Sequence, residues 1–306
     1  MEAKKHEDFS KLKVYTLLTL GILAIGFSPI LVKIVTNESA FLVAATRTVF
    51  AFLLLIPIYF RSTKNSPKRE VIVKEHVWVA ISGILLGLHL ICWISSIYFT
   101  SIASASILVT THPIILIVIE RFVFKYTFRP IVWIGVLISF SGSLVLGYAD
   151  SGIEGTYSNP LLGNGLAVLA SIIFAGYFLI GNRVRQNRNW IEYVFPVYGF
   201  AALTCVIALL IVEGVSFQVS GLVVLVGFGL ALGPQIAGHG ALNYAVKYVS
   251  PTLIATLILF EPAASSIMAF FFFDEIPLPL SFIGMAIILT GIVLTWSKKK
   301  VSKTSN

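Results

Sequence analysis

Long apolar runs follow one another along this chain of 306 residues, and short polar connections separate them. A run of about 20 residues is long enough to cross the hydrocarbon core of a bilayer as an α-helix. Lipid offers an open backbone no hydrogen-bonding partner, and the runs are too long for barrel strands, so each run predicts a transmembrane helix. The ten runs are 13–34, 40–60, 77–99, 103–120, 130–149, 161–182, 191–213, 220–244, 251–272 and 278–297.

The composition of the chain agrees with that pattern. Hydrophobic residues make up 57% of the chain and charged residues only 12%, which is more apolar surface than one water-facing globule can bury. The sequence therefore predicts an all-α integral membrane protein that is surrounded by the lipid bilayer.

The two halves of the chain resemble each other at a constant offset of 149 residues, the separation of His112 from Glu261. Five helices per half is an odd number, so the second copy should enter the membrane from the opposite side. The sequence therefore predicts ten transmembrane helices arranged as two inverted five-helix repeats, a common build of secondary transporters. The equivalent pairs include His112 and Glu261, Pro113 and Pro262, Pro130 and Pro279, Gly135 and Gly284, and Gly142 and Gly291.

The net charge of +8 comes from basic residues that cluster in alternate connections, such as 61–74, 121–129 and 183–188. Positive charge stays on the cytoplasmic side during insertion, so we expect both termini to be cytoplasmic. This placement favours membrane orientation over nucleic-acid binding. The predicted division is a cytoplasmic tail at 1–12, a first repeat at 13–149, an extracytoplasmic linker at 150–160, a second repeat at 161–297 and a basic cytoplasmic tail at 298–306.

Glu261 is the one ionisable residue in the ninth predicted helix. Ionisable groups at membrane depth are costly and usually functional, so we expect Glu261 to couple protons or to bind a substrate amine. His112 occupies the equivalent place in the fourth helix and is the second candidate for proton coupling. Pro113 and Pro262 lack an amide donor and predict a kink in each helix. The alternative role for Glu261 is a protonated carboxyl bonded to the carbonyl that Pro262 frees.

Two other predicted helices carry a polar stripe. In the eighth helix Gln235, His239 and Asn243 recur every four residues, and in the third helix His89 and Trp93 have the same spacing. Lipid tolerates such stripes poorly, so both should face inward, towards a cavity or towards helices with which they form hydrogen bonds. With Tyr177, whose hydroxyl needs a partner, the predicted substrate-binding residues are His89, Trp93, His112, Tyr177, Gln235, His239 and Glu261.

The remaining polar and small residues predict structural roles. Arg47 lies near the outer end of the second helix, and we expect its long side chain to snorkel to the membrane interface. Cys92 and Cys205 lie in separate helices without metal-ligand spacing, so no metal, cofactor or catalytic site is expected. Four glycines in the fifth and tenth helices predict close packing, in a scaffold or in the face of a homodimer. They are Gly135, Gly142, Gly284 and Gly291.

These residues resemble the EamA-type branch of the drug/metabolite transporter superfamily. The resemblance spans about residues 13 to 297 and implies a carrier of the bacterial or archaeal plasma membrane, often an exporter of amino acids or related metabolites. The chain departs from the family in having Asp274-Glu275 where Gly-Glu is common, and His112 before the first-repeat proline. The motifs that carry the resemblance are Gly238 to Ala245 (GHGALNYA), Ser250-Pro251-Thr252 and Phe260-Glu261-Pro262.

The sequence thus predicts a secondary transporter that exports small metabolites, such as amino acids or related amphipathic compounds, by alternating access around a midplane cavity. Two other classes share a polar cavity and stay open at this point. One is a membrane-embedded hydrolase that pairs a serine with His89, His112 or His239. The other is a lipid flippase or small-molecule sensor.

Overall fold

The computed structural model describes residues 11–64, 73–100, 102–150, 158–273, 278–296 and 302–303. The prediction of an all-helical membrane protein is confirmed. Within the described residues nine helices are long and apolar enough to cross a membrane, and Pro130–Leu146 is a shorter apolar helix. Most of the predicted tails and linker, together with Asp274 and Glu275, lie outside the described residues.

The helices lie close to the apolar runs, because each run ends where polar residues or proline begin. They are α1 Lys11–Ile34, α2 Ala40–Thr63, α3 Val73–Phe99, α4 Ile102–Val109, α5 His112–Phe122, α6 Pro130–Asp150, α7 Pro160–Arg185, α8 Trp190–Glu213, α9 Gly221–Leu230, a π-helical segment Ala231–His239, α10 Gly240–Ala245, α11 Pro251–Ile258, α12 Glu261–Phe273 and α13 Pro279–Trp296. Two short strands, β1 Tyr126–Thr127 and β2 Ser302–Lys303, pair antiparallel and bring the C-terminal segment to the connection between α5 and α6.

Three of the predicted helices are interrupted. The predicted helix 103–120 is divided into α4 and α5, and the predicted helix 251–272 into α11 and α12. Each division falls just before the proline of His112-Pro113 or Glu261-Pro262, because proline cannot donate to the carbonyl four residues earlier and its ring clashes with that carbonyl. The two divisions occupy equivalent positions of the internal repeat. The third interruption is the π-helical segment, which contains Pro234.

The four glycines of the repeat lie where α6 and α13 pack together within one chain. A Cβ atom on Gly142 would lie 2.6 Å from the backbone nitrogen of Ile288 and 2.8 Å from the carbonyl oxygen of Gly284. Gly135 and Gly291 approach each other in the same reciprocal way. The prediction of close packing is therefore confirmed, and these glycines face each other in a scaffold within one chain.

The other helix pairs enclose the middle of the molecule. α3 packs against α7 and α8, α1 packs against the π-helical segment and α12, and α2 packs against α8 and α9. The largest buried cluster includes Phe174, Tyr177, Phe178, Tyr193 and Tyr198 from α7 and α8. Of these aromatic side chains, Phe174 lines the cavity described next.

Candidate functional site

An internal cavity of about 40 Å³ lies where α5 and α12 begin. A water molecule needs roughly 10–15 Å³ of such space, so the cavity has room for a few waters. Sites for small molecules usually measure about 300–1,000 Å³, so entry of a metabolite requires the helices to move apart. We call this space the central cavity, and its polar lining is Ser28, Arg47, His89, His112, His239 and Glu261.

The structure brings five of the seven predicted substrate-binding residues to the central cavity: His89, Trp93, His112, His239 and Glu261. The other two, Gln235 and Tyr177, are fully buried just behind its lining. Gln235 Oε1 accepts a hydrogen bond from Arg47 Nε at 2.8 Å. The Tyr177 hydroxyl accepts one from Asn243 Nδ2 at 2.5 Å. Neither side chain lines the cavity in this conformation, where each supports a neighbour, and binding of substrate by Gln235 and Tyr177 stays a prediction.

The side chain of His112 satisfies the carbonyl that Pro113 leaves without a donor. Its Nδ1 atom lies 2.8 Å from the carbonyl oxygen of Val109, the residue four positions before the proline. A carbonyl oxygen only accepts, so Nδ1 carries the proton. His112 Nε2 is buried without a hydrogen bond to any described residue. His112 therefore holds the helix break together with one nitrogen and has an acceptor left on the other.

Three imidazole rings surround the ring of Phe174. The centroid distances from Phe174 are 5.1 Å to His89, 4.5 Å to His112 and 6.0 Å to His239. His89 Nδ1 donates to the carbonyl oxygen of Ala170 at 2.9 Å, which fixes that ring to α7. His239 Nδ1 has no hydrogen bond among the described residues. The cavity therefore combines an aromatic wall with ring nitrogens that are available to a ligand.

Glu261 is the first residue of α12 and is 5% exposed. Within the described part of the chain its carboxyl group makes no hydrogen bond and no ion pair with a distance of 4.0 Å or less. The carbonyl freed by Pro262 is thus not bonded to Glu261, in contrast to the arrangement at His112. Arg47 faces the same cavity, so the two side chains attract each other electrostatically across it. The alternative structural role expected for Glu261 is wrong in this conformation.

The expectation that Arg47 snorkels to the interface is also wrong. Its side chain is 1% exposed and points into the protein. Nη1 donates to the Ser28 hydroxyl at 3.0 Å, and the guanidinium carbon lies 6.0 Å from the centroid of the Trp93 ring. Together with Gln235, these partners come from α1, α3 and the π-helical segment. They hold the guanidinium inside the bundle, so the side chain does not extend to the interface.

The π-helical segment sets the positions of Gln235 and His239. Wide π turns often mark functional sites, because they change the directions of side chains relative to an α-helix. The hydroxyl of Tyr198 donates to the Gln235 carbonyl at 2.6 Å and so supports the backbone of this segment. As predicted, Gln235, His239 and Asn243 all point inward. They meet three environments, however, since Gln235 contacts Arg47, His239 faces the cavity and Asn243 contacts Tyr177.

Sequence reasoning missed one further buried acidic residue. Glu120, near the end of α5, is 1% exposed. Its carboxylate accepts hydrogen bonds from the backbone nitrogen of Thr252, at 2.9 Å, and from the hydroxyl of the same residue. It lines a second cavity of about 360 Å³ together with Lys11, Asn182 and Lys247. Its position beside Arg121 at a helix end gave no sign of this partner, which lies in the other half of the chain.

Cysteine and acidic side chains form no metal centre in the described ranges. No group of three or more His, Cys, Asp or Glu side chains there has the geometry to hold a metal ion. Cys92 and Cys205 are free thiols on separate helices. The chemistry of the central cavity therefore depends on its charged, imidazole and aromatic side chains.

Comparison with known proteins adds a family and a fold to this geometry. The model of the EamA-like transporter family matches residues 12–148 and again residues 161–297. The uncharacterized transporter YdfC of Bacillus subtilis is 26% identical over 63% of this chain, and the match covers 62% of YdfC. An uncharacterized transporter of Clostridium kluyveri is 22% identical over 83% of this chain and 85% of its own length.

Two further matches are a human protein and a chain of known crystal structure. Human solute carrier family 35 member G1 is 24% identical over 90% of this chain and 76% of that protein. A chain of known crystal structure superposes with a TM-score of 0.74 at 20% identity, covering 94% of this chain and 98% of that one. At this identity the structural match shows similarity of fold alone.

Proposed function

Since this chain belongs to the EamA-like transporter family and is a multi-pass membrane transporter, we propose that it is a secondary carrier that exports a small, partly apolar metabolite such as an amino acid. The carrier works by alternating access around the central cavity. The observation that carries this proposal is the meeting of Arg47, Glu261 and three histidines at the point where two equivalent helices are broken. Broken helices beside a polar midplane site are typical of secondary transporters.

The proposal includes ten membrane-spanning helices in two inverted repeats, with residues 13–149 and 161–297 as the two halves. The equivalent breaks before His112 and Glu261 support this arrangement, because each half contributes the same element to the cavity. Both termini are assigned to the cytoplasm of the plasma membrane on the distribution of basic residues. The pairing of β1 with β2 supports one part of that assignment, since it brings the C-terminal segment to the basic connection after α5.

Glu261 is the proton-linked or substrate-amine-binding group in this mechanism, and His112 is its equivalent in the first repeat. A carboxyl group without a hydrogen bond in a closed cavity can exchange one partner for another as the cavity opens. It can accept a proton, or it can attract the ammonium group of a substrate. His112 Nε2 offers a second acceptor beside it. The small volume of the cavity supports an occluded conformation between the inward-open and outward-open arrangements.

Counterflow in proteoliposomes tests the proposal. Vesicles loaded with unlabelled leucine and phenylalanine should accumulate the radiolabelled amino acids, and Glu261→Gln should reduce this exchange or remove its dependence on pH. The matched control is Glu192→Gln, an acidic residue in the first turn of α8 whose side chain contacts the backbone nitrogen of Asn189. Unchanged exchange and unchanged pH dependence in Glu261→Gln would exclude Glu261 from the mechanism.

A further inference from the structure

We propose that Arg47 binds the carboxylate of the transported substrate, and that the substrate is therefore a zwitterion. This inference rests on the proposed transport function and names the class of molecule that the central cavity accepts. Arg47 is buried in α2, faces the central cavity and donates hydrogen bonds to side chains from two other segments of the chain.

The hydrogen bonds of Arg47 leave part of its guanidinium available. A guanidinium group carries five N–H donors in a planar fork. Nε donates to Gln235 and Nη1 donates to Ser28, and both acceptors are neutral oxygens. Nη2 has no hydrogen bond to any described residue. Two neutral acceptors do not balance a full positive charge at this depth, whereas a carboxylate does so with parallel hydrogen bonds.

The surroundings of Arg47 fix the direction of that fork. Gln235 belongs to the π-helical segment, whose backbone is bonded to the hydroxyl of Tyr198. Ser28 lies in the middle of α1, and the Trp93 ring from α3 lies 6.0 Å from the guanidinium carbon. Three segments therefore hold Arg47 in place before a ligand arrives. Binding sites that are organised in advance lose less conformational entropy when the ligand binds.

The rival role for Arg47 is permanent neutralisation of Glu261. The two side chains line the same cavity, yet within the described residues they form no ion pair at 4.0 Å or less. A ligand lying between them meets a positive group at one end and a negative group at the other. Trp93, Phe174 and Leu242 line the same space and provide an apolar surface. An α-amino acid with an apolar side chain has these three features.

The test compares leucine with two analogues that each lack one charged group. Leucinamide lacks the carboxylate, and isocaproate lacks the ammonium group. Each compound competes with radiolabelled leucine in counterflow on proteoliposomes. For the wild-type carrier we expect leucine to compete at least roughly tenfold better than either analogue, since each analogue leaves one buried charge without its partner. This comparison requires no variant, so it does not depend on whether a variant folds.

Two variants then assign the selectivity to side chains. The Arg47→Gln carrier should lose the preference for leucine over leucinamide and keep the preference for leucine over isocaproate. The Glu261→Gln carrier should lose the preference over isocaproate and keep the preference over leucinamide. Arg47→Lys keeps the charge without the planar fork and should retain part of the preference. Arg185→Gln is the control for loss of a buried arginine, because Arg185 Nε donates to a backbone carbonyl at Asn243, behind the cavity lining.

The outcomes separate this inference from the proposed function. If wild-type carrier exchanges leucine and Arg47→Gln keeps the full preference over leucinamide, Arg47 does not bind the carboxylate, although transport stands. If Arg47→Gln reduces competition by all three compounds equally, the role of Arg47 is structural and the inference is wrong. If the wild-type carrier exchanges no amino acid of the panel, the proposed substrate fails together with the inference.

Discussion

The Ser139 hydroxyl donates a hydrogen bond to the backbone carbonyl of Ile288 at 3.2 Å, and these two residues are 149 positions apart, one repeat length. A residue contacts its own equivalent only near the axis that relates the two copies. His112 and Glu261, another equivalent pair, line one cavity. Both observations support an axis that passes between α6 and α13 and through the central cavity.

The proposed orientation places the start of α7 outside the cell and its end on the cytoplasmic side, together with the basic connections. Asn159 precedes α7 and Asn187 follows it, and both are exposed. In a background with Cys92→Ala and Cys205→Ala, an impermeant thiol reagent should label Asn159→Cys from outside intact cells. Asn187→Cys should be labelled only after the cells are permeabilised. The reverse result would place the basic connections outside and remove the proposed orientation.

The close approach of α6 and α13 predicts a strong effect of a single methyl group. Gly142→Ala places a Cβ atom against backbone atoms of Ile288 and Gly284, which cannot move independently of their helix. We expect the free energy of unfolding to fall by about 1–3 kcal/mol, as for overpacked interiors. Thermal unfolding in detergent measures the change. Gly165→Ala in α7 is the control, because beyond its own stretch of helix backbone no described atom lies within 4 Å of its added Cβ. Equal melting temperatures of the two variants would contradict the prediction.

The sequence predicted the elements that depend on local properties. The lengths of the apolar runs predicted the helices, and Pro113 and Pro262 predicted where two of them are interrupted. Both signals depend only on the residues of one segment. The partners of Arg47 could not be predicted in that way. Gln235 is 188 residues away, and only the packing of α2 against the π-helical segment brings the two together. The π-helical segment itself leaves no distinct periodic signal over nine residues.

The lining of the central cavity predicts access to water during the transport cycle. In the same cysteine-free background, His112→Cys and His239→Cys should react with a small hydrophilic thiol reagent in at least one transport state. Their rings line the cavity, and the cavity has room for a few waters. Mass spectrometry measures the extent of labelling. Ala201→Cys is the control, since Ala201 is fully buried in the cluster of α7 and α8. Protection of both histidine positions in every state would place them outside the substrate path.

The bond from Glu120 to Thr252 predicts an energetic coupling between the two halves of the chain. The carboxylate of Glu120 joins the end of α5 to the first turn of α11, beside the second cavity. Glu120→Ala leaves buried donors of Thr252 without a partner, so we expect a loss of about 1–3 kcal/mol in the free energy of unfolding.

Thr252→Val removes the hydroxyl donor and keeps the shape of the side chain. A double-mutant cycle, followed by denaturation in detergent, should give a coupling of about 0.5–3 kcal/mol between the two positions. Thr252→Ser retains the donor and should stay close to the wild type, whereas strictly additive effects of the two substitutions would show that the bond does not hold these helices together.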